Sequence, residues 1–398
     1  MSAPQQSAPR TGPLSGVRIL ELAAYTTGPL AARYLSNLGA EVLKVEPMKG
    51  ESIRGFAYKV DGVSYIFHVH NMNKRGVAIE TASDKGKDIL LELVRQSDVL
   101  IENFAYGRMQ SWGLDYDDLK AVNPRLIYCS LSGFGHTGPY RDMRAFDTVI
   151  QGMAGVMSLT GTAANPPTKI GVSAADNVGA ATGAIAIAAA LHHQRRTGRG
   201  QHINISMHDV QGWMSAEAWA QLDTPEGARR DGNHHPSLAP QNLYETADGM
   251  IVIEVETQKQ LDAMTAHLDL APCALAAAKA REAEFDAALA AWARAWTTDA
   301  ALAACNAAGI PAGRVQSMAE IAGNPHTWAR GMLLELDHPV SGPLKLLGSP
   351  FKSNRAPGVT RCTAPAVGQH TREVLAELLG YDDETLDALA EDGVIGLG

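Results

Sequence analysis

The first part of the chain alternates between short apolar runs and longer segments with helical spacing. Val17–Leu22 and Glu41–Glu46 are apolar enough for buried strands, and Gly28–Leu38 between them has the period of a helix. The alternation continues with the predicted helices and strands Asp84–Gln96, Val99–Ile101, Asp115–Val122 and Leu126–Leu131. Because strands separated by helices of this length form βαβ units, the pattern predicts an α/β fold with a parallel sheet.

The pattern changes near residue 225, which predicts a second domain. A long helix over Val178–Gln194 and a strand over His202–Met207 precede the change. A Gly- and Pro-containing polar stretch, a hairpin over Leu243–Val255 and an Ala-rich helical region follow it. We therefore predict a flexible tail at 1–12 and a large domain formed by 13–225 and completed by 328–398. A smaller α+β domain at 226–327 is inserted between those two parts.

Composition narrows the class of protein. The 398 residues are 45% hydrophobic and 19% charged, as in a folded chain, and the net charge of −9 argues against a nucleic-acid partner. The N-terminus has no apolar signal core, and the longest apolar stretch contains Gly and Thr and is too short to span a bilayer. The four cysteines form no close pair. We expect a cytoplasmic enzyme without a membrane partner.

Two motifs have a structural interpretation that outweighs the functional one. Gly133–Gly138 matches GxGxxG, but Pro139-Tyr140 follows where a dinucleotide site needs a helix, so the glycines are expected to shape a tight loop. His68 and His70 would share one face of a strand, but no nearby residue completes a metal-ligand set. We expect no metal site, and we expect Thr197–Gln201 to be a turn.

Asp176 is open to two interpretations. It precedes a long Ala- and Gly-rich helix, where an aspartate commonly caps the free N–H groups of the first turn. A carboxylate in that place is also a reachable nucleophile, and its small neighbours would leave space for a substrate.

The segments, taken in order, resemble the class III CoA-transferase family, which includes formyl-CoA and carnitine CoA-transferases. The resemblance covers about residues 13 to 395 and rests on the order and spacing of these runs: LSGVRILEL, LGAEVLKVEP, NMNKRGV, DVLIENF, NPRLIYCSLSGFG, AFDTVIQGMAG, TGRGQ, APQNLYETADG and GIPAGRV. It implies a Rossmann-like large domain, a small domain and a homodimer of two interlocked chains.

The resemblance also implies a reaction. An aspartate, matched by Asp176, attacks an acyl-CoA thioester to give a mixed anhydride and free CoA thiolate. The thiolate returns to form an aspartyl-CoA thioester, from which a carboxylic acid acceptor takes the CoA through a second anhydride. CoA is then a substrate, and no permanently bound cofactor is implied.

Family CoA contacts match residues spread over the first half of the chain: Ala24, Tyr25, Thr26, Thr27, the neighbourhood of Ile79, Asn103, Phe104, Ala105 and Arg144. Many relatives carry an Arg just before the glycine that matches Gly113. This chain has none there, and Arg108 is expected to replace it. Structural alternatives stay open for two of these residues, because Arg144 could pair with Asp142 or Asp147 and Asn103 could simply form a turn.

Specificity is constrained by one further departure. Formyl-CoA transferases have a run of glycines after the position of Gly232-Asn233, forming a mobile lid, where this chain has His234-His235-Pro236-Ser237. Oxalate specificity is therefore not expected, and a lid role for 232–240 is a hypothesis. Aromatic and histidine side chains near the first loops suggest an acid that is partly apolar: Tyr25, Phe56, Tyr58, Tyr65, His68 and His70.

Two other functions compete with CoA transfer. α-Methylacyl-CoA racemases are similar in sequence, but they carry His-Asp where this chain has Phe146-Asp147, and Phe cannot move a proton. The other alternative is a non-catalytic acyl-CoA binder, which would not need Asp176.

Overall fold

The computed structural model describes residues 11–60, 62–225, 227–338, 342–356 and 358–398. The chain divides into two compact units. The first contains residues up to 155, 170–216 and 325–398, and the second contains 156–169 and 217–324. Residues 156–169, which the sequence pattern groups with the large domain, thus belong to the second unit. Most of the predicted tail, residues 1–10, lies outside the described residues.

Strands and helices alternate through the first unit and are mixed in the second. The strands are β1 Arg18–Leu22, β2 Glu41–Glu46, β3 Lys59–Val60, β4 Val63–Ser64, β5 Lys74–Ile79, β6 Val99–Glu102, β7 Ile127–Ser132, β8 Gln201–Ser206, β9 Gln241–Glu245, β10 Met250–Glu254, β11 Ala312–Arg314, β12 Leu333–His338, β13 Gly342–Leu347 and β14 Ile395–Gly396.

The helices, in chain order, are α1 Thr27–Asn37, α2 Tyr65–Asn71, α3 Asp84–Arg95, α4 Arg108–Trp112, α5 Tyr116–Val122, α6 Asp147–Met153, α7 Ala174–Thr197, α8 Met207–Met214, α9 Ala216–Trp219, α10 Gln258–His267, α11 Leu275–Ala278, α12 Glu282–Arg294, α13 Thr298–Ala308, α14 Met318–Gly323, α15 Pro325–Ala329, α16 Thr371–Leu379 and α17 Asp383–Glu391.

A sheet in the order β14-β5-β2-β1-β6-β7-β8 forms the centre of the first unit. Every neighbouring pair is parallel except β14 with β5. The α/β class and the parallel sheet predicted from the alternation are confirmed. The strand order runs outward in one direction from β1 and in the other from β6, which leaves a crevice at the carboxyl ends of these two strands.

Hydrophobic layers cover both faces of this sheet. On one face, α3, α5, α16 and α17 pack through Leu90, Leu119, Val374 and Leu386. On the other face, α1 and α7 pack through Leu35 and Ile187. Because both faces are covered, the central strands are largely apolar, and the charged side chains they carry, such as Glu21 and Lys44, are buried in ion pairs.

By length and composition alone, helix α7 is long and apolar enough to cross a membrane, so the expectation that this stretch is too short is wrong. Half of its most apolar part is buried within the chain. Its buried side, which includes Ala180, Ala184 and Leu191, packs on the sheet and α1. A core helix of a soluble protein meets the same criterion.

The second unit contains a three-stranded antiparallel sheet in the order β11-β10-β9. The predicted hairpin is present as β9 and β10, with Ile251 opposite Tyr244. Helices α10, α12 and α13 pack on this sheet through Leu261, Phe285 and Ala301.

Two local expectations have clear outcomes. The segment with His68 and His70 forms helix α2 instead of a strand, so the two rings do not share a face, and the strand interpretation is wrong. After the glycines at 133–138 the chain continues in turns and bends until α6 begins at Asp147, as expected for a loop.

Candidate active site

The loops that follow β1 and β6 meet at the crevice in the centre of the large sheet. Asn103, just after β6, bonds both polar groups of the Ala24 peptide: its Oδ1 accepts from the Ala24 N–H at 2.9 Å and its Nδ2 donates to the Ala24 oxygen at 2.7 Å. Gly28 allows this close approach, because a Cβ there would lie 3.3 Å from the Asn103 Cγ and 2.5 Å from the Ala23 Cβ. Asn103 thus fixes the loop 24–27.

Helix α7 brings Asp176 to the same place. The helix begins at Ala174, four residues before the predicted start, and Ser173 occupies the capping position. Asp176 is therefore inside the first turn, and its interpretation as the helix cap is wrong. The Thr27 hydroxyl, at the start of α1, donates a hydrogen bond to Asp176 Oδ1.

Asp147, the first residue of α6, accepts hydrogen bonds from the free N–H groups at the start of α7. The capping residue Ser173 makes no such side-chain bond. The Asp147 Oδ1 accepts from the Ala175 N–H at 2.8 Å and lies 3.5 Å from the Asp176 nitrogen. Its Oδ2 accepts from Gln151 Nε2 at 2.6 Å. The residue that the racemase comparison singled out therefore anchors the helix that carries Asp176.

Burial raises the pKa of Asp176 from its usual value of 3.8 to about 6. The Thr27 hydrogen bond opposes this shift, and the nearby charge of Asp147 adds to it. The carboxylate is ionised at neutral pH, yet it is more basic than an exposed aspartate. A more basic carboxylate is a better nucleophile, so the surroundings favour attack on an electrophilic carbon.

The small residues near Asp176 serve packing. Gly179, one turn further along α7, faces Thr27, and a Cβ there would lie 3.3 Å from the Thr27 Cγ2 atom. Gly183 approaches Leu131 of β7 in the same way. The expectation that these small neighbours leave space for a substrate is wrong at these two positions, because they allow α7 to approach α1 and the sheet.

Tyr25, within the loop 24–27, is one of a pair of aromatic rings in contact. Tyr25 and Phe146 meet edge to face, with their ring centroids 5.6 Å apart, and Phe146 is 67% exposed. Phe56 and Tyr58 are also exposed, and the Tyr65 hydroxyl bonds the Lys345 oxygen. His68 and His70 are buried, and the suggestion that these six side chains favour a partly apolar acid stays a prediction.

The remaining predicted CoA contacts have different surroundings. Ile79 is fully buried and pairs with Ile395 of β14. Phe104 packs edge to face on Trp112, and the guanidinium of Arg108 lies 4.5 Å from the Trp112 ring centroid. Ala105 is exposed before α4, and Thr26 immediately precedes α1.

Arg144 is exposed on the loop before α6. Neither suggested ion pair forms among the described residues, since Asp142 pairs with Arg141 and Asp147 binds the start of α7. The cationic side chains of Arg108 and Arg144 thus both reach solvent in the first unit.

A buried carboxyl group beside the crevice was not anticipated from the sequence. Burial raises the pKa of Glu102 to about 7, while hydrogen bonds from Ser130 and the Phe104 N–H oppose the shift. Ser130 Oγ also lies 3.0 Å from His202 Nε2. A cavity of about 100 Å³ adjoins this group, lined partly by Tyr106, Tyr116, His136 and His202. The only sequence signal was a glutamate at the end of an apolar strand.

The loop 232–240 is anchored within the second unit. His234 Nε2 lies 2.7 Å from Asp286 Oδ2, and Lys279 donates to the His235 oxygen at 2.7 Å. Its lid role stays a prediction. In the part of the chain that the structure describes, no cluster of three His, Cys, Asp or Glu side chains could hold a metal.

Known proteins are similar to this chain over most of the span on which the sequence resemblance rests. The model of CoA-transferase family III matches residues 14–371. A succinyl-CoA–D-citramalate CoA-transferase of Chloroflexus aurantiacus is 34% identical, covering 96% of this chain and 98% of its own. A succinate–glutarate CoA-transferase of Agrobacterium fabrum is 35% identical, covering 93% and 96%. A CAIB/BAIF family protein of Brucella suis superposes with a TM-score of 0.81 at 34% identity, over 92% of this chain and all of the other.

Proposed function

Since the chain belongs to CoA-transferase family III and is an enzyme of that family, we propose that it moves CoA between acids through covalent intermediates on Asp176. One observation carries the proposal: Asp176 is a half-buried carboxylate held at the central crevice by Thr27, on a helix start anchored by Asp147. Within this arrangement Oδ1 accepts the Thr27 hydrogen bond, and Oδ2 is the oxygen we assign to attack.

The first half-reaction forms two intermediates. An Asp176 oxygen attacks the thioester carbon of the acyl-CoA, the C–S bond breaks, and CoA leaves as a thiolate. The thiolate then attacks the Asp176 carbonyl carbon of the mixed anhydride and releases the donor acid as its carboxylate. The product is an aspartyl-CoA thioester.

The second half-reaction reverses these steps with the acceptor. The acceptor carboxylate attacks the aspartyl thioester carbon and expels CoA thiolate, which gives a second mixed anhydride. The thiolate attacks the acceptor acyl carbon, so the new acyl-CoA forms and the Asp176 carboxylate is regenerated. Neither half-reaction needs a general base, because each nucleophile is already an anion.

We propose succinyl-CoA as donor and a dicarboxylic acid as acceptor. The two relatives described above are named for succinyl-CoA or succinate and for D-citramalate and glutarate, which are dicarboxylic acids. The histidine-containing loop 232–240 replaces the glycine run associated with formyl and oxalate transfer. We expect turnover of succinyl-CoA with glutarate or citramalate and little turnover with oxalate.

Mass spectrometry after mixing the protein with succinyl-CoA, without an acceptor, tests the chemistry. We expect a succinyl or CoA adduct on the peptide containing Asp176. Asp176→Ala should abolish the adduct and lower turnover on the order of 10³-fold or more. Asp383→Ala is the matched control, because Asp383 is exposed and pairs with Arg372 at the surface.

Other outcomes would identify the alternatives. Full transferase turnover by Asp176→Ala would refute the mechanism. Exchange of the α-proton of an acyl-CoA into deuterated water without an acceptor would favour a racemase. Binding of CoA without any adduct or turnover would favour the non-catalytic binder.

We further propose that the chain acts as an interlocked homodimer in the cytoplasm. The resemblance implies this assembly, and helices α6, α7 and α8 leave large apolar side chains uncovered. We call these residues the α6–α8 surface: Phe146, Val149, Met153, Val172, Ile185, Trp213 and Met214. Large exposed apolar side chains on and beside three helices that contact one another support an interface with a second copy.

A further inference from the structure

Side chains bind both backbone polar groups of Tyr25, its N–H and its carbonyl oxygen. The Tyr25 N–H donates to Glu51 Oε2 at 2.8 Å. The Tyr25 carbonyl oxygen lies 3.3 Å from His70 Nδ1, and because a carbonyl can only accept, this nitrogen carries the proton. The backbone of Tyr25 is left-handed, with φ 64°, a conformation that is unfavourable for a bulky residue.

A left-handed tyrosine persists only where its surroundings enforce it. Asn103 fixes Ala24 on one side, and Glu51 and His70 fix Tyr25 itself. Thr27, the hydrogen-bond donor to Asp176, follows two residues later.

Glu51 belongs to a chain of buried ion pairs. Lys44 lies 2.8 Å from Glu51 and 3.0 Å from Glu21, and Lys74 lies 2.6 Å from the other oxygen of Glu21. These two lysines and two glutamates alternate in sign, and all four are buried. Since each buried charge is paired, none of them can move without leaving another uncompensated.

The same chain also reaches α1. Lys74 Nζ donates to the Pro29 oxygen, two residues after Thr27, at 2.8 Å. Thr27 thus lies between two anchored points, the Tyr25 N–H before it and the Pro29 oxygen after it. The position of its hydroxyl is therefore set by groups that lie below the loop and outside the site.

We propose that His70 is a positioning residue of the transferase: together with Glu51 it holds Tyr25 in the left-handed conformation that places Thr27 against Asp176. The inference rests on the proposed function, because it assumes that Asp176 is the nucleophile. His70 touches no reacting atom and acts through the backbone of the loop.

His70 permits a test without a change of charge. Burial lowers its pKa to about 4, with a smaller contribution from nearby Lys74, so its ring is neutral at pH 7. His70→Leu removes the donor to the Tyr25 oxygen. His70→Asn keeps an N–H near the place of Nδ1, so it should restore the bond.

The measurement is the single-turnover rate of adduct formation on Asp176 at saturating succinyl-CoA, with the unfolding temperature of each variant. We expect His70→Leu to lower this rate about tenfold or more, because small displacements of reacting groups have effects of that size. His70→Asn should recover most of the rate. Val69→Ala, a buried change on the same helix, should lower the unfolding temperature without lowering the rate.

The outcomes separate the two proposals. If the wild-type protein forms no adduct on Asp176, the proposed function fails. If it does and His70→Leu forms the adduct at the wild-type rate, the positioning role is refuted. An equal loss of rate in His70→Asn, His70→Leu and Val69→Ala would also refute it, since the loss would then follow stability alone.

Discussion

Thr27 and Asp176 are 149 positions apart in the chain, yet they form the central contact of the site. The sequence predicted a role for each residue, Asp176 as a nucleophile and Thr27 as a CoA contact, and both roles stay predictions. It did not indicate that they bond each other, because no local pattern records which side chains meet across two helices. Asn103 and His70 show the same limit: their residue types were noticed, but their backbone partners were not.

The hydroxyl of Thr27 is expected to matter for rate. Thr27→Val keeps the shape but removes the hydrogen bond to the carboxylate, whose pKa should then rise above its present value of about 6. A hydrogen bond to a charged group is worth about 1.5–3 kcal/mol, which corresponds to about 1–2 pKa units. Less of the carboxylate is then ionised at pH 7, so we expect adduct formation at that pH to slow several-fold, up to roughly 15-fold. Quenched-flow kinetics with detection by mass spectrometry measures this rate.

Thr27→Ser is the matched variant, because it retains the hydroxyl. It should stay within about threefold of the wild-type rate, a factor of less than 1 kcal/mol. Equal rates for Thr27→Val and Thr27→Ser would mean that the hydroxyl is not used.

Helix α7 shows what an element's own residues can and cannot specify. Its apolar length predicted a helix over Val178–Gln194, and the helix does cover that range. Its true start at Ala174 depends on Asp147, which belongs to α6 and accepts the Ala175 N–H. Since the group that satisfies the first turn comes from another element, the start could not be located from the segment alone.

Asp147→Asn should change the pH dependence of adduct formation. Asp176 must be ionised to attack, so the rate rises with pH through its pKa of about 6. Asp147 contributes to that raised pKa through its charge, and removing the charge should move the acidic limb of the rate profile to lower pH. The profile between pH 4.5 and 8 measures the shift.

Gln151→Ala serves as the control for this variant. Gln151 bonds Asp147 and the Val172 oxygen but carries no charge, so its removal should loosen the start of α7 without moving the acidic limb. A shift of the same size in both variants would contradict the electrostatic explanation.

At the scale of the whole molecule, the sequence predicted a parallel sheet covered by helices but not its strand order. Alternating strands and helices require crossovers, and crossovers are compatible with several orders. Strand β14 could not be predicted from the sequence either, because a segment of two residues is too short to show a strand pattern. The apolar runs explain the covered faces of the sheet, whereas the α6–α8 surface is exposed in the single chain.

That surface leads to a prediction about assembly. Analytical ultracentrifugation should give twice the chain mass of 42.3 kDa. Trp213→Arg or Ile185→Arg places a charge on a side chain that is 84% or 71% exposed in the single chain, and should reduce the dimer fraction if a second copy covers it. Met318→Arg, an equally exposed change outside this surface, should not. A monomeric wild-type protein would contradict the proposal.

Strand β14 also affects the order in which the molecule can be completed during synthesis. It forms the outer neighbour of β5, which the ribosome has translated long before. The three strands of the second unit all lie between Gln241 and Arg314, so they can pair while translation continues. The nascent chain therefore presents an open edge at β5 until β14 emerges, so the unit that carries Asp176 acquires this strand after the sheet of the second unit has been translated.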